Sequence, residues 1–244
     1  MKKVVIIGMG NMGLAIREQL QDNFQVSGVG REGDLSLVHS ADIVIIAVKP
    51  QSFPELSSVL RSHVHDGQVV ISIMAGVTIR HLTDTLGIKR VVRTMPNLAL
   101  KTGQSMTAWY STTKDIETET KAVLDAWGQS VRLEREEQFD AFTALAGSGP
   151  AYYFELAYLL EKEAVRQGFS MQDARRISLQ TFRGAASILE SSDSVEDLVH
   201  KVASKGGTTE AALTVFREHS FERMITSVIE AACERSRKLG LSLS

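Results

Sequence analysis

The residues of this chain best suited to hold a small anion are Ser204, Lys205, Gly206, Gly207, Thr208 and Thr209, which lie between two helical patterns and open the second. Glycines at 206 and 207 let the backbone approach a ligand closely, and a helix leaves its first-turn N–H groups free to point at one. With the hydroxyls of Ser204, Thr208 and Thr209, they offer donors to a carboxylate and to one polar atom beside it. The same string is also ordinary cap chemistry, with Thr as N-cap and Gly in an unusual backbone conformation. By itself the turn leaves both readings open.

At the other end, Val4-Val5-Ile6-Ile7 runs into Gly8-Met9-Gly10-Asn11-Met12-Gly13 and then into residues 14–20, whose apolar spacing is helical. Strand, glycine turn and helix in that order form a dinucleotide fingerprint. The first glycine makes the turn, the second lets a pyrophosphate touch backbone, and the third lets the helix pack on the strand. The end of the second strand, Val29-Gly30-Arg31-Glu32, bears on which nucleotide is held. An acidic residue there grips ribose hydroxyls, whereas an arginine accommodates a phosphate. Arg31 favours NADPH; Glu32, were it the residue facing the ribose, would favour NADH.

Other chemistries lack their residues. His63 and His65 lie one residue apart, no histidine pair has the helix-face spacing of a metal site, and His39, His81, His200 and His219 read as surface or cap residues. No metal is expected. Gly147-Ser148-Gly149 lacks the spacing of a hydrolase nucleophile elbow. The net charge is -2, and Arg175, Arg176, Arg235, Arg237 and Lys238 fall where solvated helix faces and helix dipoles account for them, so nucleic acid is not an expected partner. Cys233 is the single cysteine and lies in a helical pattern, which excludes a disulfide framework and suits a reducing compartment. Lys2-Lys3 precedes an apolar stretch, but Gly8 interrupts it and no small-residue cleavage site follows. No run approaches the roughly 20 apolar residues of a membrane span. A soluble, cytoplasmic protein is expected.

The elements that must position these turns follow from periodicity. Short apolar runs at 25–29, 42–48, 68–72 and 90–93 suit parallel strands buried on both faces, and helical candidates at 51–62 and 77–86 alternate with them. Strand-like pieces at 105–109 and 130–133 flank a helix over 115–127. From about Glu136 the period is helical: 151–166 behind Pro150, two helices opened by Ser170 with Asp173 and by Ser194 with Asp197, another opened by Thr208 or Thr209, and a last over 221–239. A chain of 244 residues, 43% hydrophobic and 23% charged, fits two modest domains. The expected fold is α/β, with a Rossmann-like NAD(P)-binding domain over 1–135 followed by an all-helical dimerisation and substrate domain over 136–244. Roughly a hundred residues of helix with few aromatics bury little alone, so a homodimer or larger assembly through these helices is expected. Tyr152, Tyr153, Phe154 and Tyr158 either line a substrate pocket or pack in a core or interface.

Read in order, Gly8-Met9-Gly10-Asn11-Met12-Gly13, Ala47-Val48-Lys49-Pro50-Gln51, Ala75-Gly76-Val77, Arg93-Thr94-Met95-Pro96-Asn97, Gly147-Ser148-Gly149-Pro150-Ala151-Tyr152, the turn from Ser204 to Thr209, and Glu230-Ala231-Ala232-Cys233-Glu234-Arg235 resemble the pyrroline-5-carboxylate reductase family. The likeness covers essentially the whole chain. That family makes proline by reducing a cyclic imine with NAD(P)H. The resemblance implies that the substrate carboxylate rests on the Gly206-Gly207-Thr208-Thr209 backbone, with Ser204 and Lys205 in the same turn, and that the Thr209 hydroxyl is the catalytic contact to the ring nitrogen. It also implies a cofactor held along Gly8 to Gly13, by Ala47, Val48, Lys49 and Pro50, and by Ala75, Gly76 and Asn97, to which the strand-end reading adds Arg31 at the ribose. A protonated imine is already electrophilic, so the protein chiefly orients the reactants and excludes water.

The chain departs from the family pattern in places. The stretch from Arg31 to Ser40 is short, so the helix that usually follows the second strand must be absent or reduced to a turn, with a weaker hold on the adenosine end. Leu98-Ala99 replaces a usual Thr-Pro, Ala146 stands where serine is common, and Lys205 replaces a usual proline. The Lys205 ammonium either attracts the substrate carboxylate or is simply solvated. A noncatalytic paralogue that senses a nucleotide or metabolite is the alternative reading. A beta-hydroxyacid dehydrogenase has less support, because it needs a lysine soon after a glycine-rich turn and the next lysine after Gly147-Ser148-Gly149 is Lys162.

Overall fold

Strands that read as uniformly apolar stand at the centre of a sheet. In the computed structural model, which describes residues 1–190 and 193–241, the first unit alternates β1 (Lys3–Ile7), α1 (Asn11–Leu20), β2 (Gln25–Val29), β3 (Ile43–Ile46), α2 (Phe53–Leu60), β4 (Val69–Ser72), α3 (Ile79–Leu86), β5 (Val91–Met95), β6 (Ser105–Tyr110), α4 (Glu117–Leu124) and β7 (Gly128–Arg132). Among the described residues these strands form one seven-stranded sheet in the order β2-β1-β3-β4-β5-β6-β7. The first five strands in that order are parallel.

Alternation along each strand divides the core into two layers, as a pleat of period two requires. Val4, Ile6, Ile43, Ile45, Val69 and Ile71 face Ile16 and Leu20 of α1 and Val123 and Leu124 of α4. Their neighbours Val5, Ile7, Val44, Ile46 and Val70 face Phe53 and Leu60 of α2 and Ile79, Leu82 and Leu86 of α3. Each large side chain so buried contributes about 1.5–3 kcal/mol, which is why the glycine turns on this sheet sit on a stiff support.

Two connections differ from simple alternation. β6 runs antiparallel to β5, because the link between them holds only a 3-10 turn (Leu98–Thr102) and a parallel return needs a crossover of a dozen or more residues. After β2 the expected helix is reduced to a 3-10 turn, Leu35–Ser40, capped by Asp34 and anchored by the fully buried Val38.

The compact units divide differently from a boundary at 135/136: one holds Met1–Pro150 together with the chain from Glu230 onward, the other Ala151–Ile229. Tertiary contacts give the reason. The short helix α5 (Gln138–Phe142) buries Phe139 with Ala108 and Leu133 of the sheet region. The second half of the last helix, α10 (Phe221–Leu241), returns to it, with the Ser236 hydroxyl donating to Asp140 Oδ1 at 2.6 Å. Cys233 is buried there, as packing in a helix suggested.

The other unit is helical: most of α6 (Gly149–Arg166), then α7 (Met171–Leu189), α8 (Val195–Val202), α9 (Thr208–Glu218) and the first half of α10. Ser170 and Ser194 cap α7 and α8, each accepting from the N–H three residues on at 3.1 Å. Among its described residues only Ala174 and Ser178 are buried. Tyr153, Phe154 and Tyr158 are 64%, 59% and 55% exposed, so within one chain they form no core. Among the described residues no helix is long and apolar enough to cross a membrane.

Candidate active site

The first glycine turn is built as its spacing requires. Gly8 has φ +101, its N–H donates to Val29 O at 2.9 Å, and an added Cβ would lie 2.6 Å from Ala47 O, so only glycine fits. A Cβ on Gly13 would run into Gly8 O, which is the close contact that seats α1 on β1. A Cβ on Gly10 would meet nothing within 4 Å. Gly10 is also the N-cap of α1 and supplies no side-chain cap, which leaves the first-turn N–H groups available to an anion. The turn lies where the chain leaves β1 for β2 on one side and β3 on the other, the switch point at which open α/β sheets bind ligands.

A cavity of about 670 Å³ opens there, with Gly8, Met9, Gly10, Ala47, Val48 and Lys49 in its wall. Arg31 also lines it and Glu32 does not. Two cationic side chains, those of Arg31 and Lys49, thus stand in the cavity wall. Among the other residues expected here, Asn11 opens α1, Met12 packs on the core and Pro50 opens a 3-10 turn; none of them lines the cavity. Sequence reading missed Ser52, the N-cap of α2, with Glu55, Leu56 and Val59, which form one face of α2 along the cavity. Their spacing of three and four residues is the signal that was available, but any exposed helix face shows it. Beyond the second strand, hydrogen bonds from the Ser36 hydroxyl and amide hold the Asp34 carboxyl below its usual range.

Ala75, Gly76 and Asn97 stand at the ends of β4 and β5. Gly76 has φ +78, and its Cβ would fall 3.0 Å from Gly240 Cα of α10. Asn97 is tied into the fold at three atoms: its N–H donates to Ser105 Oγ at 3.1 Å, Oδ1 accepts from Ala99 N at 3.0 Å, and Nδ2 donates to Ala146 O at 3.0 Å. Its side chain thus ties its own turn to the π-helical turn Thr143–Gly147 and keeps one Nδ2 hydrogen for a further acceptor. The bond uses the backbone of Ala146, so alanine for serine costs nothing in that contact. Glu136 organises the neighbouring helix, with Oε1 accepting from Ile79 N at 2.8 Å and from Arg93 Nη1 at 2.9 Å.

The turn at 204–209 lies on the helical unit. Gly206 has φ +72, and Gly207, not a threonine, is the N-cap of α9, with its N–H donating to Ser204 O at 2.9 Å. Among the described residues, the amides of Thr208, Thr209 and Glu210 and the hydroxyls of both threonines have no hydrogen-bond partner. Lys205 is exposed. Gly206 N donates to Glu210 Oε2 at 2.7 Å, a contact absent from the expectations above. The result is a helix N-terminus with free donors and two hydroxyls, able to take a carboxylate and one adjacent polar atom.

Residues 136–239 match a family model described as pyrroline-5-carboxylate reductase dimerisation, and residues 29–76 match one described as NADP oxidoreductase coenzyme F420-dependent. The chain is 32% identical to the pyrroline-5-carboxylate reductase of Aquifex aeolicus over 97% of each protein. The structure of a pyrroline-5-carboxylate reductase from Coxiella burnetii is similar with a TM-score of 0.90 at 28% identity, over 98% of both chains. A Plasmodium falciparum pyrroline carboxylate reductase with NADP bound shares the fold, with a TM-score of 0.87 at 24% identity. With that identity maintained from one end to the other, the chain belongs to the pyrroline-5-carboxylate reductase family.

Proposed function

We propose that this protein reduces 1-pyrroline-5-carboxylate to L-proline, with NADPH as the preferred reductant. Beyond family membership, the observation that carries this reading is the open N-terminus of α9, where the free amides of Thr208 and Thr209 and both hydroxyls match a small ring bearing one carboxylate beside a nitrogen. The amides would take the carboxylate, assisted by Ser204, Lys205, Gly206 and Gly207 as members of the turn. Thr209 Oγ1 would accept from the N–H of the protonated imine, holding that proton on the ring nitrogen. When bound, NADPH supplies the hydride that adds to the imine carbon.

On the cofactor side, Gly8 and Gly10 with the first turn of α1 would carry the pyrophosphate, and Ala47, Val48, Lys49, Ala75 and Gly76 would border the path toward the nicotinamide. Arg31 in the cavity wall supports a phosphate on the ribose, as does the NADP in the Plasmodium structure. The matched dimerisation model supports a homodimer or an assembly of dimers through the helical unit. The lone Cys233 suits a cytoplasmic setting.

The test is oxidation of NADPH and of NADH by the purified protein with 1-pyrroline-5-carboxylate, proline being identified as product. Thr209→Ala should lower kcat/KM by about tenfold or more, the loss expected for one hydrogen bond to a charged group. Turnover that does not depend on Thr209 would remove its role. NADPH binding without turnover would establish a noncatalytic sensor instead.

A further inference from the structure

Glu210 is the third residue of α9, and its carboxylate reaches back four residues to the Gly206 N–H at 2.7 Å. A capping box usually returns this carboxylate to the N-cap N–H itself. Here the N-cap amide, that of Gly207, already donates to Ser204 O, so the carboxylate closes the next amide out. The residue it holds needs holding. Gly206 is exposed, has φ +72 and would place a Cβ in empty space, so no packing fixes it, and two successive glycines lose more conformational freedom on ordering than any other pair. The position before it is Lys205, where the family pattern has proline. Proline would limit φ through its ring, and lysine imposes no such limit.

We propose that Glu210 is a positioning residue for the reaction: its carboxylate clamps the Gly206 amide, supplying the turn rigidity that a proline at 205 would otherwise give, and thereby keeps the Thr208 and Thr209 donors converged on the substrate carboxylate. This rests on the reading of the turn as the substrate-carboxylate site. The clamp works through reach and acceptor capacity rather than through charge. A negative charge near the turn would favour the helix dipole but oppose an incoming carboxylate, so a purely electrostatic role and a clamp predict opposite variant patterns.

The experiment measures KM for the imine and for NADPH, together with Tm, in four variants. Glu210→Ala loses the acceptor, and Glu210→Asp keeps the charge but is one methylene short of Gly206. Both should raise the imine KM by about tenfold while leaving the NADPH KM within about twofold. Glu210→Gln retains a carbonyl acceptor and should stay within about threefold of the parent. Lys205→Pro added to Glu210→Ala should recover most of the loss; the Lys205 N–H has no acceptor among the described residues, so proline removes no hydrogen bond there. The clamp is overturned if Asp behaves as the parent and Gln as Ala, if both KM values rise together, or if Glu210→Ala leaves the imine KM unchanged. A silent Glu210→Ala beside a damaging Thr209→Ala discards the clamp alone. If both are silent, the site reading itself fails.

Discussion

Gly10 and Gly13 occupy one fingerprint for opposite reasons. A Cβ at 13 collides with Gly8 O, while a Cβ at 10 meets no atom of the protein. Gly10→Ala should therefore cost the fold less than about 1 kcal/mol, since Gly10 already has an extended conformation open to any residue. On the proposed cofactor site the same methyl stands in the path of the pyrophosphate, so the dissociation constant for NADPH, read by fluorescence titration, should rise about tenfold or more. Gly13→Ala should instead destabilise the fold by about the 1–3 kcal/mol typical of overpacking, read as a lowered Tm. At this scale the glycine positions were legible in the sequence, because backbone sterics at a tight turn depend on few neighbours. Arg31 against Glu32 was not, because adjacent residues after a strand differ only in which way the chain aims them. The three partners of Asn97, at 99, 105 and 146, were not legible either, because they come from three separate segments.

Between elements, Glu136 joins parts that lie far apart in the chain. It caps the first amide of α3, which follows the Ala75-Gly76 turn, and neutralises Arg93 of β5, whose side chain is 11% exposed and lies 4.3 Å from the Phe139 ring centroid. Glu136→Ala would leave a largely buried guanidinium without its carboxylate and the α3 amide without its cap. The expected loss is about 2–4 kcal/mol in urea unfolding. Glu136→Gln, which keeps the carbonyl acceptor, should lose about half as much. The caps at Ser170 and Ser194 were readable because their partners are three residues away. The antiparallel course of β6 was also accessible in principle, since the link before it is too short for a crossover. The π-helical turn at 143–147 gave no periodic signal, because one extra residue in a turn resembles ordinary variation in spacing.

For the molecule as a whole, the decisive fact is the contrast between the two units. The sheet unit buries two full apolar layers, whereas the helical unit leaves Leu156, Leu159, Leu160, Ile177, Val199 and Phe216 exposed. Family membership gives this unit a dimerisation domain. Tm should accordingly rise by several degrees between about 1 and 100 µM protein, because association is coupled to folding, and sedimentation should give at least a dimer. A monomer with a concentration-independent Tm would contradict this. By itself the sequence determined the strand and helix identities, the glycine turns, the caps and the need for a partner surface. These follow from backbone sterics, from periods of two and 3.6, and from the ratio of apolar residues to what one small unit can bury. Only the tertiary structure decided that α10 returns to Asp140, that Arg31 and one face of α2 line the cavity at the first glycine turn, and that the Glu210 carboxylate accepts from the Gly206 N–H. Each depends on which groups share a point in space, and no local periodicity encodes that choice.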